Sequence, residues 1–416
     1  MGEQPRPAPG TRTRRPAPCP VPLSEACGHD VHRLATGIAE VDRVLGGGLV
    51  PGSVVLVAGD PGVGKSTLLL QLVAGIAKAG RRCLYVAGEE SVAQVGLRAR
   101  RIGTAQGAVD VVAETSTDAV TALIESRTPA AVVVDSVQTL TADDVGAAPG
   151  SVSQVREATG RLVEVAKRTG VPLFLVGHVT KDGGIAGPRI LEHMVDVVVH
   201  FEGERTGAFR TLRAIKNRFG SASEFGVFEM RGEGLVEVPD PSKLLLAERP
   251  RGAVGSVVAV TADGSRPLLC EVQALVAECT GGPPRRAVTG LDPARVPMLL
   301  AVLGRAAGEN VLAKDVFVNV AGGLRIEETA ADLAVCVAVA SSARGRPVPE
   351  GVAVFGEVGL SGEVRSVARA DLRIAAAIRT GIRTVVVPAS TRTQIPGATL
   401  RPVRSVTEAL GILVRP

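Results

Sequence analysis

Aromatic side chains make up 2% of this 416-residue chain: there is no Trp, and Tyr85 is the single Tyr beside eight Phe. A core without rings has to be built from Val, Leu, Ala and Ile, and single-strand binding of the base-stacking type has few candidate platforms. Cysteine is sparse too. Six residues, Cys19, Cys27, Cys83, Cys270, Cys279 and Cys336, are scattered along the chain, and Cys83 and Cys336 lie inside apolar runs. That usage fits free buried thiols in a reducing cytoplasm. No apolar run approaches the roughly 18 residues that suggest a membrane span. Residues 1–22 are rich in Pro and Arg and lack the apolar segment of a secretory signal. A cytoplasmic protein without membrane contact is the expectation. Excess charge of one sign is also small: the net charge of +5 permits a polyanionic partner without requiring one.

Against these absences stands one complete motif. Gly59-Asp60-Pro61-Gly62-Val63-Gly64-Lys65-Ser66-Thr67 meets G-x-x-x-x-G-K-[ST] at every fixed position, between the apolar run 54–58 and a Leu-rich helical run from Leu68. The glycines let successive N–H groups turn onto phosphates, Lys65 supplies a point charge at the β/γ oxygens, and the Ser66 hydroxyl can ligate Mg²⁺. ATP and Mg²⁺ are therefore the expected cofactors.

Short Val-rich runs at 84–86, 131–134, 172–176 and 195–201 alternate with helical stretches, as expected of strands buried on both faces of a mostly parallel sheet. The reading is α/β, with an arm at 1–30 that cannot bury a core, a P-loop domain at 31–240, a linker at 241–252 and an α+β domain at 253–416. For the second domain, strands are expected at 255–261, 315–320, 352–355 and 384–388, and helices at 296–306, 330–343 and 370–379.

Val132-Val133-Val134-Asp135-Ser136 is a buried strand ending in an acid, which places Asp135 at the sheet edge as a second Mg²⁺-side group. Glu89 and Glu90 follow another strand, where a carboxylate can polarise the attacking water; an N-terminal pair before Ser91 is the alternative. His178 ends a third strand and is either a γ-phosphate sensor or a structural histidine. Lys216 and Arg218, flanking Asn217, follow a fourth and are candidate positive fingers for a neighbouring subunit's nucleotide.

The blocks Thr36-Gly37-Ile38-Ala39-Glu40-Val41-Asp42-Arg43-Val44-Leu45-Gly46-Gly47-Gly48, Gly59 to Thr67, Gly88-Glu89-Glu90-Ser91 and Lys216-Asn217-Arg218-Phe219-Gly220, in this order, resemble the RadA/Sms family of RecA-related bacterial DNA-repair ATPases. The resemblance implies a RecA-like motor in a homohexameric ring that is stimulated by DNA, extends strand exchange and drives branch migration on single-stranded and branched DNA, alongside a RecA-type recombinase. It further implies Glu89 as the catalytic base, Lys216 and Arg218 acting across the subunit interface, and two channel loops, 141–157 with Arg156 and 179–192 with Lys181 and Arg189, meeting DNA phosphates. The family usually opens with a zinc module of two C-x-x-C pairs. Here Cys19 and Cys27 form no such pair, and zinc is not expected.

The second domain resembles the Lon proteolytic domain at Asp315-Val316-Phe317-Val318-Asn319-Val320, Gly322-Gly323 and the run 355–364. Lon chemistry needs a Ser activated by a Lys. The aligned positions hold Ala330 and Asp371, so an inactive scaffold is expected, one that offers DNA a basic surface through Arg285, Arg286, Arg295 and Arg325. Two other readings remain, a regulatory ATPase of the KaiC type and an ATP-dependent protease.

Overall fold

The computed structural model describes residues 22–23, 32–178, 188–203, 209–222, 224–263, 266–279, 281–393 and 395–414, with the side chains of His178, Pro188, Arg189 and Asp263 outside that description. The chain divides into two compact units, residues 1–32 and 33–416. In the first, only Pro22, Leu23 and His32 are described, so the calls on Cys19 and Cys27 lie outside the described residues. The second unit carries two large sheets. Among its described residues, no helix is long and apolar enough to cross a membrane.

The first sheet comprises β1 (Val54–Gly59), β2 (Cys83–Ala87), β3 (Val109–Ala113), β4 (Val132–Asp135), β5 (Leu173–His178), β6 (Val197–Glu202), β7 (Phe209–Asn217), β8 (Phe225–Arg231) and β9 (Gly234–Glu237). Its order is β3-β2-β4-β5-β1-β6-β7-β8-β9, parallel through β6 and antiparallel beyond. Continuous Val/Leu runs serve β1, β2 and β4 because helices cover both faces. One face packs against the helix Lys65–Lys78 through Leu68, Leu69, Leu72 and Val73, and the other against the helix Val152–Thr169 through Val155, Leu162 and Val165. All six parallel strands end at the same edge. β1 lies between β5 and β6, and β2 is reached only by crossing β5 and β4, so β1 ends at a topological switch point where ligands bind in such sheets.

The second sheet comprises β10 (Ser256–Asp263), β11 (Arg266–Ala277), β12 (Arg286–Thr289), β13 (Asp315–Val320), β14 (Val352–Val354), β17 (Thr384–Pro388) and β18 (Thr399–Val403) in the order β12-β13-β11-β10-β14-β17-β18, with a separate hairpin of β15 (Glu357–Val358) and β16 (Val364–Arg365). Helices Arg295–Ala306, Asp332–Arg344 and Ala370–Arg379 fall where the sequence places them. The longest strand, β11, was not expected. Its polar and apolar residues are buried together, so it shows no alternation to read.

Two expectations are corrected. Residues 241–247 are not linker but helix: Asp240 caps it by accepting from the Lys243 N–H at 3.4 Å, and Pro241 occupies the first turn. Asp-Pro here starts a helix instead of breaking the chain. Nor is 141–157 all loop, since the helix Val152–Thr169 begins within it behind the Ser151 cap and carries Arg156, exposed, near its start. The buried Gln154 ties down the loop before it, accepting from Ala142 N at 2.8 Å and donating to the carbonyls of Val145 at 2.8 Å and Ala147 at 3.0 Å.

The two lobes meet at a buried ion pair. Glu40 is 2% exposed, its Oε2 lies 2.8 Å from Arg266 Nη1, and the same oxygen accepts from Val227 N at 3.1 Å. Arg266 also donates to the Pro239 carbonyl. Beside it Phe225, Val227 and Val238 of the first lobe pack on Leu268 of the second. Removing one member of a buried pair weakens the compensation of the other charge, here leaving Glu40 with Arg43 at 3.2 Å as its remaining cation. Arg266→Ala should therefore lower stability by about 3 kcal/mol, while Glu40→Gln combined with Arg266→Met should cost less than the single change; denaturant unfolding of the three proteins measures both.

Candidate functional site

Gly59, Gly62 and Gly64 adopt φ of 154°, 82° and 113°, the region that favours glycine. At Gly59 and Gly64 space is limiting as well: a Cβ on Gly59 would stand 2.2 Å from the Phe201 carbonyl oxygen, and one on Gly64 would stand 2.7 Å from Met230 Cε. The loop is thus pressed against the end of β6 and the β8–β9 hairpin. Buried Arg210 holds it from below, donating to the Val63 carbonyl at 3.2 Å. Gly64 begins the helix Lys65–Lys78, and no side chain caps its first turn. That leaves N–H groups and the positive helix end for an anion.

Lys65 is 4% exposed, and its ammonium donates to the Gly59 carbonyl at 2.7 Å and the Asp60 carbonyl at 3.0 Å. Burial pulls its pKa below the ordinary lysine value, opposed by the carboxylates of Asp135, Asp60 and Glu89. A phosphate would return the negative partner that burial removes.

The parallel register brings the acids to this edge. Ala87 of β2 pairs with Asp135 of β4, and Gly59 of β1 pairs with His178 of β5. The Gly88 N–H donates to the Asp135 carbonyl at 2.8 Å, and a Cβ at Gly88 would stand 1.9 Å from Thr139 Oγ1. Glycine is therefore needed where β2 hands over to Glu89. Glu89 is exposed and accepts from the Ser136 hydroxyl at 2.6 Å; Glu90 pairs with Arg98. The following helix has its own capping box of Ser91 and Gln94. Of the two glutamates, Glu89 is the one bonded to the strand that carries Asp135. Tyr85 donates its buried hydroxyl to Asp135 Oδ2 at 2.6 Å, a contact sequence reasoning missed because strand neighbours are far apart in the chain.

The uncapped helix start, the buried lysine and the acid behind it fit a magnesium nucleotide. Ser66 and Asp135 would hold the ion, which screens phosphate charge when bound. Among the described residues, no cluster of three His, Cys, Asp or Glu side chains could hold a metal without a nucleotide's help.

Lys216 and Arg218 lie at the other end of the sheet. Asp196 N donates to the Val54 carbonyl, and Arg218 N donates to the Asp196 carbonyl, which places them at the start of β1. The length of that strand, roughly 16 Å, separates them from their own phosphate loop. Lys216 donates to the carbonyls of Glu192 at 2.6 Å and Val195 at 2.9 Å, and burial, with Arg218 adding to it, lowers its pKa. Arg218, 57% exposed, lies 3.3 Å from the buried carboxylate of Asp196.

Of the expected DNA contacts, Arg156 and Arg285 are exposed. Lys181 and the Arg189 side chain lie outside the described residues. The Arg286 guanidinium donates to the carbonyls of Arg285, Lys314, Val311 and Leu312, which makes it a clasp for the chain entering β13. Arg295 is likewise engaged, with Asp332 at 2.5 Å. In the second lobe Ala330 is buried and Asp371 exposed on a helix, and between these segments lies the ion pair of Glu328 with Arg373, at 2.5 Å.

A family model described as an AAA domain matches residues 20–184, and one described as subunit ChlI of Mg-chelatase matches residues 286–391. The chain is 48% identical to the DNA repair protein RadA of Bacillus subtilis over 91% of its own length and 83% of that protein. It is 50% identical to the RadA of Pseudomonas aeruginosa (88% and 81%) and 47% identical to that of Mycobacterium tuberculosis H37Rv (94% and 82%). The chain belongs to the RadA family of DNA repair proteins. As a RadA family member it carries a RecA-like motor and is an ATP-hydrolysing enzyme, and the phosphate loop lies within the matched AAA domain. Glu89→Gln should reduce ATP turnover at least a hundredfold, the scale of a positioned general base, while ADP affinity stays within threefold; steady-state kinetics and calorimetry check the two halves.

Proposed function

We propose that the chain is a DNA-dependent ATPase of recombinational repair, working as a homohexameric ring that extends strand exchange and drives branch migration on single-stranded and branched DNA, with a RecA-type recombinase as partner. The observation that carries this reading is the placement of Lys216 and Arg218. They stand a strand's length from their own phosphate loop, which supports their acting on a nucleotide held by another copy. In a ring, hydrolysis then depends on assembly and passes from subunit to subunit, as a translocating motor requires.

Within one subunit, the loop amides and Lys65 bind the phosphates, Ser66 and Asp135 hold Mg²⁺, and Glu89 orients and deprotonates water. Lys216 and Arg218 leave their local acceptors to meet the neighbour's phosphate. The exposed Arg156 and Arg285 supply phosphate contacts without base readout. The second lobe serves as scaffold. Ala330 has no hydroxyl to activate and Asp371 has no amine, which disfavours the protease reading on chemical grounds.

Single-stranded DNA should stimulate ATP hydrolysis several-fold, and Lys65→Ala should abolish it. Hydrolysis indifferent to DNA would favour the regulatory-ATPase reading. Mixing Lys65→Ala with Lys216→Ala subunits should give more activity than either variant alone, because mixed rings contain interfaces in which both groups are intact. A mixture no more active than its parts would remove the trans role.

A further inference from the structure

Tyr85 is the only tyrosine in a chain without tryptophan. It lies mid-strand in β2, 0% exposed, among Cys83, Ala87 and Val133. A buried phenol needs an acceptor, and a backbone carbonyl would suffice for stability. Its acceptor is instead the carboxylate of Asp135, at 2.6 Å, a charge-assisted bond stronger than a neutral one. The adjacent acid is held in the same way, by a hydroxyl of the next residue in the chain: Ser136 donates to Glu89 at 2.6 Å.

We propose that Tyr85 is a positioning residue for the metal-side acid: its hydroxyl occupies one oxygen of Asp135 and fixes the rotation of the carboxylate, so that the other oxygen is presented toward Mg²⁺. The inference rests on the reading of Asp135 given above. It assigns Tyr85 no contact with nucleotide. Rotational freedom of Asp135 would weaken its hold on the ion and leave the phosphate loop untouched, because groups that orient a metal-side carboxylate tune metal affinity.

The test is Tyr85→Phe, which keeps the ring and removes the hydroxyl. At saturating ATP the Mg²⁺ concentration giving half-maximal hydrolysis should rise about tenfold, the lower end of the effect of losing such a partner. Binding of a fluorescent ADP analogue in EDTA should be unchanged. A Mg²⁺ dependence equal to wild type, or loss of the Mg²⁺-free nucleotide binding, overturns the proposal. Asp135→Asn is the control: if it leaves the Mg²⁺ dependence unaltered, the assignment of Asp135 fails and the proposal with it, whereas a shift in Asp135→Asn alone rejects only the role of Tyr85. Should Tyr85→Phe not fold, the wild-type protein gives a second readout, because under excitation at wavelengths beyond the absorption of its eight Phe residues its emission comes from Tyr85 alone. Mg²⁺ with ADP should change that emission, and ADP with EDTA should not; emission identical in both overturns the proposal.

Discussion

The seating of the phosphate loop against β6 is the constraint on which the rest of the structure depends. Gly59 approaches the Phe201 carbonyl so closely that no side chain fits between them, and Arg210 holds the loop at Val63. Phe201 is itself fixed by an edge-on contact with Phe228, ring centres 6.1 Å apart. In a chain so poor in aromatics, two of its few rings are spent supporting the loop. Once β1 is fixed there, the parallel register delivers Asp135 and Glu89 to the same edge, and hydroxyls from Tyr85 and Ser136 hold them. The charge of Lys65 in this buried place is supported by two backbone carbonyls and by the carboxylates of Asp135, Asp60 and Glu89.

The second lobe is joined to this motor through Glu40, which belongs to the first block of sequence that resembles the RadA family. Its carboxylate bridges a helix of the motor, the edge of β8 and Arg266 of β11. Helix Pro241–Ala247 adds to the joint, because buried Ser242 accepts from Leu269 N at 3.0 Å. The connection between lobes is thus ordered structure with its own polar bonds. In this lobe Ala330 is buried and Asp371 exposed, and between their segments lies the Glu328–Arg373 pair, whose arginine is 2% exposed.

Local pattern made much of this legible. The P-loop motif, the Val-rich strands and the acid closing β4 depend on residues close together in the chain, and the structure keeps them where periodicity puts them. Legibility failed where the deciding partner is distant. Asp240 and Pro241 read as a break because neither betrays that Ser242 will be buried against β11. The charge of Arg286 alone does not reveal the four carbonyls that it meets at the start of β13. Gln154 gave no signal at all, although it ties down the loop that leads into the helix Val152–Thr169.

The sequence by itself determined that this chain binds a nucleoside triphosphate, builds an α/β motor and belongs to a known lineage, because glycine spacing, a Lys-Ser pair and strand hydrophobicity are local requirements of backbone geometry and burial. Tertiary structure alone decided which glutamate is held to the strand of Asp135, which arginines remain exposed, that Tyr85 serves an acid fifty residues away, and that Lys216 and Arg218 stand far from the loop of their own subunit. These depend on sheet order and register, which are set by long-range burial.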